Sequence, residues 1–161
     1  MLVLDLIRTN PHWETELAAP PRCIAQKWRG NYVLLKYSQL ESDFTDPIVR
    51  ECRGCIFFLP DGDHTRAKLV CYPFDKFGNY GESYVPNIDW STASVQEKVD
   101  GSLIKMWYHN CSWHISTNGT IHADEADTNV EGITFYDVVM NAIRATGDVK
   151  AFFETLRSII K

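Results

Sequence analysis

The residues best suited to chemistry are concentrated at Glu97-Lys98-Val99-Asp100-Gly101-Ser102. In an extended backbone alternate side chains share a face, so Lys98 and Asp100 point the same way, while Gly101 lets the chain turn or a ligand come close. A lysine held beside a carboxylate and a permissive glycine can be aimed at a phosphate, as a cation or as a nucleophilic amine. The competing structural reading is a solvated hairpin corner, the usual setting of Lys before Asp-Gly. Cys52-Arg53-Gly54-Cys55 has the spacing of half a zinc site, but Cys71, Cys111, His109 and His114 offer no second pair. Along one extended strand Cys52 and Cys55 fall on opposite faces, which favours buried, metal-free thiols.

The elements that must position these residues change character along the chain. Asn10 before Pro11 reads as an N-cap followed by proline at the first helical position, with Trp13 and Leu17 on an apolar face. Pro20-Pro21 ends that helix. Strand-like runs follow at 32–37, 55–59, 69–72, 103–108 and 112–116, separated by turn signals, which predicts an antiparallel meander. Gly30-Asn31, Asp61-Gly62 and Asn118-Gly119 accept positive φ, and the last two are placed as hairpin turns. After Ala123 the apolar period lengthens from two to about 3.6. Thr134 then caps a helix with Phe135, Val138, Val139, Ala142 and Ile143 on one face, ended by Gly147. Asp148 caps a second, with Val149, Phe152, Phe153, Leu156, Ile159 and Ile160 as its stripe.

Composition narrows the class. A chain of 161 residues, 45% hydrophobic and 23% charged, has material for a single globular domain with one core. No apolar run approaches the roughly 20 residues that span a bilayer, and the opening Met1 to Arg8 is too short and carries Asp5, so no membrane segment or leader is expected. With five unevenly spaced cysteines, this points to reduced thiols and a cytoplasmic protein. The net charge of -5 argues against a surface built to clamp a nucleic-acid backbone.

Lys98-Val99-Asp100-Gly101-Ser102 matches the Lys-x-Asp-Gly motif of covalent nucleotidyltransferases, and its surroundings resemble the ATP-dependent tRNA-repair RNA ligases of T-even bacteriophages and their relatives. Residues 32–38 are similar to that family's nucleotide-proximal tyrosine strand. Glu51-Cys52-Arg53-Gly54 with Ile56-Phe57-Phe58 resembles its Arg-Gly strand. Pro73 to Glu82 resembles its Lys-Phe-Phe-Asn segment, and Ser116-Thr117-Asn118-Gly119-Thr120 its Thr-Lys-Gly-Ser turn. The resemblance covers most of residues 31–122. It implies an α+β, antiparallel-sheet nucleotidyltransferase (adenylation) fold. A short leader with a helix would occupy 1–30, a sheet with the nucleotide pocket 31–122, and a helical pair 134–161.

The activity so implied is adenylylation of Lys98 by ATP, with release of pyrophosphate, followed by joining of RNA 5′-phosphate and 3′-hydroxyl ends. Attack requires the free amine, and an isolated lysine titrates near about 10.4. Arg53 and Lys76, brought to the same pocket, would favour the neutral amine and clamp the triphosphate. Tyr37 would border the adenosine and Gly101 would admit the nucleotide. Mg²⁺ would ride on the phosphates, with Asp100 touching it through water or orienting Lys98. RNA ends, tRNA-like or otherwise structured, are the implied substrate.

The sequence also departs from the family pattern. Gly78 stands where the second Phe is usual, and Asn118 replaces a lysine. The family's Phe-Glu strand, metal-side glutamate and Lys-x-Lys motif have no counterpart, since Phe153-Glu154 belongs to a helical stripe. A domain shortened in this way is expected to expose a strand edge, to self-associate or recruit a partner supplying strands, and to label poorly or not at all with ATP. A non-catalytic nucleotide- or partner-binding remnant is the alternative, and a Cys-x-x-Cys metal module a more remote one.

Overall fold

The computed structural model describes residues 1–159, so Ile160, assigned above to the last apolar stripe, lies outside the described residues. The chain divides into two units, residues 1–121 and 122 onward.

The first unit is built on an antiparallel sheet of four strands, β1 (Ile24–Arg29), β2 (Tyr32–Tyr37), β3 (Arg53–Phe58) and β4 (Lys68–Cys71), in the order β1-β2-β3-β4. A separate antiparallel hairpin joins β5 (Ile104–His109) to β6 (Ser112–Thr117). The meander follows from the turns. Arg29 pairs with Tyr32, leaving Gly30-Asn31 as a two-residue turn with Gly30 at φ 54°. His109 pairs with Ser112 across Asn110-Cys111, both at positive φ, the backbone of a type I′ corner.

Period-two alternation gives the sheet two apolar faces. Val33, Leu35, Cys55 and Phe57 pack with Val3 and Ile7 of α1 (Leu2–Thr9), Trp13 and Leu17 of α2 (Trp13–Ala18), and Val49 of α3 (Pro47–Glu51). Leu34, Ile56 and Cys71 pack on the other side with Trp107 and Ile121. Each such buried side chain contributes about 1.5–3 kcal/mol.

Several expectations need correction. The opening residues form α1, whose first amides are held by the Glu51 carboxylate, which accepts from Val3 N at 2.8 Å. Asn10 ends α1 instead of capping α2, because its Oδ1 accepts from His12 N at 2.8 Å in a local turn. Residues 24–29, part of the expected leader, are the edge strand β1. Asn118-Gly119 is not a hairpin turn, since no strand follows β6 in this unit. Thr117 Oγ1 accepts from the amides of Gly119 and Thr120, both at 3.1 Å, and closes the turn locally. Asp61-Gly62 is part of a longer connection between β3 and β4 that includes two 3₁₀ turns. Residues 73–103 contain no strand, so the sheet is interrupted there.

In the second unit, α4 (Phe135–Thr146) opens with a capping box. The Thr134 hydroxyl accepts from Asp137 N, and the Asp137 carboxylate accepts from Thr134 N at 2.9 Å. Gly147 at φ 141° ends it, and the Asp148 side chain accepts from Lys150 N at 2.7 Å to start α5 (Val149–Ile159).

Candidate active site

The site begins where α3 runs into β3. Asp46 caps α3 by accepting from Ile48 N at 2.8 Å, and Pro47 occupies its first turn. The helix ends at Cys52, whose carbonyl accepts from Tyr37 N at 2.9 Å, so the end of β2 and the start of β3 are tied side by side. Gly54 follows at φ 84°, a left-handed conformation that glycine tolerates. The position also has no room for a side chain, because a Cβ there would lie 2.8 Å from the Asn118 carbonyl oxygen. The 117–120 turn therefore rests directly on the backbone beside Arg53.

This geometry overturns the expectation that Cys52 and Cys55 face opposite ways. Cys52 precedes the strand, and the unusual backbone at Gly54 returns both side chains to the same core. The Cys55 thiol donates to Leu35 O at 3.9 Å. The neighbouring Cys55 thiol and burial push the Cys52 thiol well above its ordinary value. All five cysteines are free thiols, and the described residues contain no cluster of three metal-ligating side chains.

Arg53 is not paired with Glu51, which serves α1. Its guanidinium lies over the Phe74 ring at 4.3 Å and 5.6 Å from the Phe77 centroid. Arg53 Nη1 is buried with no hydrogen-bond partner among the described residues. Such an orphan donor costs stability unless an acceptor arrives. Lys76 likewise makes no direct ion pair with Asp75 or Glu82, and reaches Glu82 only through the Tyr84 hydroxyl. Its backbone amide donates to Arg50 O at 2.8 Å, tying the irregular segment to α3, and its ammonium donates to Phe77 O at 2.6 Å and Tyr84 Oη at 3.2 Å.

Tyr37, Arg53, Lys76 and Lys98 line one cavity of about 240 Å³, together with Gln39, Phe77, Gly78 and Asn79. Tyr37 is almost fully buried and meets Phe44 edge-on at 5.1 Å. Lys98 is exposed and paired with Asp100, whose carboxyl is held below its usual range by that hydrogen bond. Gly101, at φ 148°, is next to this pair but does not line the cavity. A second cavity of about 800 Å³ shares Lys76, Phe77 and Gly78 and extends past Arg50, Tyr84 and Ile88. Gly78 has a packing reason: a Cβ there would come within 2.6 Å of Tyr84 Oη and Val85 Cγ2. A phenylalanine at 78 would collide with both.

Sequence reasoning missed Phe74 as the ring under Arg53, and it missed Lys105. Lys105 is 6% exposed and donates from Nζ to the Gly54 carbonyl. Burial lowers its titration from the ordinary lysine value. The signal was present, because Lys105 shares parity with Trp107 on an alternating strand and so points inward.

No family model matches the chain, and no solved structure does. The "Putative bifunctional polynucleotide kinase/RNA ligase" of Autographa californica nuclear polyhedrosis virus is 34% identical over 123 residues, covering 70% of this chain and 17% of its own length. The RNA ligase of Rhodothermus phage RM378 is 29% identical over 120 residues, covering 61% of this chain and 26% of its own. The chain thus spans about a quarter or less of either relative, and over most of its own length it is similar to viral proteins named as RNA ligases.

Proposed function

We propose that this chain carries the lysine-adenylylating site of an ATP-dependent RNA ligase of the T-even tRNA-repair type, with Lys98 as nucleophile. The observation that carries this reading is the convergence of Lys98, Lys76, Arg53 and Tyr37 on one cavity where Arg53 keeps a buried donor without an acceptor. A buried guanidinium N–H beside two ammonium groups suits a phosphate, which accepts charge-assisted hydrogen bonds.

In the proposed reaction Lys98 Nζ, having lost a proton, attacks the α-phosphorus of ATP. A P–N bond forms, the bond from that phosphorus to the oxygen bridging to the β-phosphate breaks, and pyrophosphate leaves with the electron pair. Arg53 and Lys76 hold the phosphates and stabilise the charge that develops on them. Asp100 orients Lys98, and Tyr37 borders the adenosine. An RNA 5′-phosphate oxygen then takes the adenylyl group from Lys98, and the 3′-hydroxyl of a second end displaces AMP to join the strands. Mg²⁺ would supply charge neutralisation at the phosphates. The donor set fits an ion held mainly by phosphate and water, with Asp100 reaching it through water.

The test is incubation of the chain with α-labelled ATP and Mg²⁺, followed by denaturing electrophoresis. Covalent label, even a trace, that disappears in Lys98→Ala is the expected result. Arg53→Gln should lower the labelling rate by about 10²–10³. Label surviving Lys98→Ala, or no label on a version extended through the Phe-Glu, glutamate and Lys-x-Lys motifs, would overturn the assignment.

A further inference from the structure

Although the chain carries a net charge of -5, its charges are segregated. None of the six strands contains a carboxylate, whereas they carry Lys27, Arg29, Lys36, Arg53, Lys68 and Lys105. Residues 17–40 and 101–121 are free of acids altogether. Acidic net charge therefore does not describe the surface that these segments build.

Three of the cations share one face at the outer edge of the sheet. Lys27 pairs with Leu34 and Arg29 with Tyr32, so both project on the side of β2 from which Lys36 also projects. Lys27 Nζ donates to Gly119 O at 2.6 Å, and Lys36 Nζ lies 3.8 Å from where a Cβ on Gly119 would sit. The two ammonium groups thus flank the 117–120 turn. Lys36 is also the register partner of Arg53, which lines the cavity. Trp28, between Lys27 and Arg29 in the chain, pairs with Val33 and projects from the opposite face, where its ring lies 5.9 Å from that of Trp13, and β1 is an edge strand of the sheet.

We propose that this face of the edge, running from Lys36 through Lys27 to Arg29, is a track for the phosphodiester backbone of a single RNA strand approaching the cavity. The inference rests on the ligase reading for the identity of its ligand, and it adds a binding surface that the adenylylation chemistry does not require. Cations spaced along an extended strand match a flexible polyanion, which a rigid duplex is not.

The experiment measures fluorescence anisotropy of a labelled single-stranded RNA oligonucleotide titrated with the whole chain at several KCl concentrations. The triple variant Lys27→Gln/Arg29→Gln/Lys36→Gln should bind roughly tenfold or more weakly at low salt. Its log-log salt slope should fall by about 2, the value expected for three lost contacts to a single strand. The double variant Arg29→Gln/Lys36→Gln keeps the Lys27 contact to the turn and should lose a proportionate share of the slope. A control matched in charge to the double variant, Arg66→Gln/Lys150→Gln, should leave both quantities alone. The proposal is overturned if the triple variant binds like the parent, if the control loses as much, or if a duplex of the same sequence binds as tightly as the single strand. Labelling by ATP reports on Lys98 separately: label that survives Lys98→Ala, with an intact salt slope, sinks the adenylylation reading, and Lys98-dependent label with no loss of slope in the triple variant sinks the track.

Discussion

Lys105 is buried with a backbone carbonyl as its acceptor and no carboxylate to balance it, a costly arrangement for an ammonium group. Because burial lowers its titration in the folded state below the ordinary 10.5, the unfolded chain binds more protons between those two values. Stability should therefore rise with pH across that alkaline window. Lys105→Met removes the titrating group while keeping the bulk. Urea unfolding at a series of pH values should show the rise flattened, with the variant at least as stable as the parent below the window. Gly54 makes an opposite case, where adding a single carbon is harmful. Gly54→Ala should cost about 1–3 kcal/mol through its backbone conformation alone, before the contact with Asn118 is counted. Because that contact is with the Asn118 carbonyl oxygen, Asn118→Gly should not rescue it in thermal denaturation.

At the level of elements, the capping box of α4 gives a direct test. Thr134→Ala should destabilise the helix by about 1 kcal/mol, read as lost helical signal in circular dichroism on warming. This helix was legible because Thr134, the 3.6-residue apolar period and Gly147 agree with one another. β2, β3, β5 and β6 were legible from apolar alternation, to within one or two residues at their ends. β1 was not, because Ile24 is its only buried side chain and its remaining positions are polar or half exposed, as edge strands often are. α1 was lost because a short apolar start was weighed only as a leader. Residues 73–103 carry no period, so nothing in them locates Lys76 or Lys98 in space. Tyr37, Arg53, Lys76 and Lys98 could be grouped only through the family resemblance. Composition and spacing alone leave Lys98 a solvated corner, and its exposed pairing with Asp100 is compatible with that view.

For the whole molecule, both apolar clusters and the residues lining the candidate site lie within residues 1–121. A chain ended at residue 121 should therefore unfold cooperatively on its own and retain the β-type circular dichroism signal; a broad, non-cooperative melt would show that the second unit is needed. No described helix is long and apolar enough to cross a membrane. The five thiols differ widely in burial: Cys111 is exposed at a hairpin corner, Cys23 is intermediate, and Cys52, Cys55 and Cys71 are buried. Only a deprotonated, accessible thiol reacts readily with an alkylating or disulfide reagent. The cysteines therefore form a built-in clock for the opening of the core. In native buffer Cys111 should be modified first and Cys23 more slowly, while the other three wait for an opening event and so time it directly. A nucleotide that binds beside Arg53 should slow modification of Cys52 and Cys55, which bracket it in the chain, and leave the rate at Cys111 unchanged.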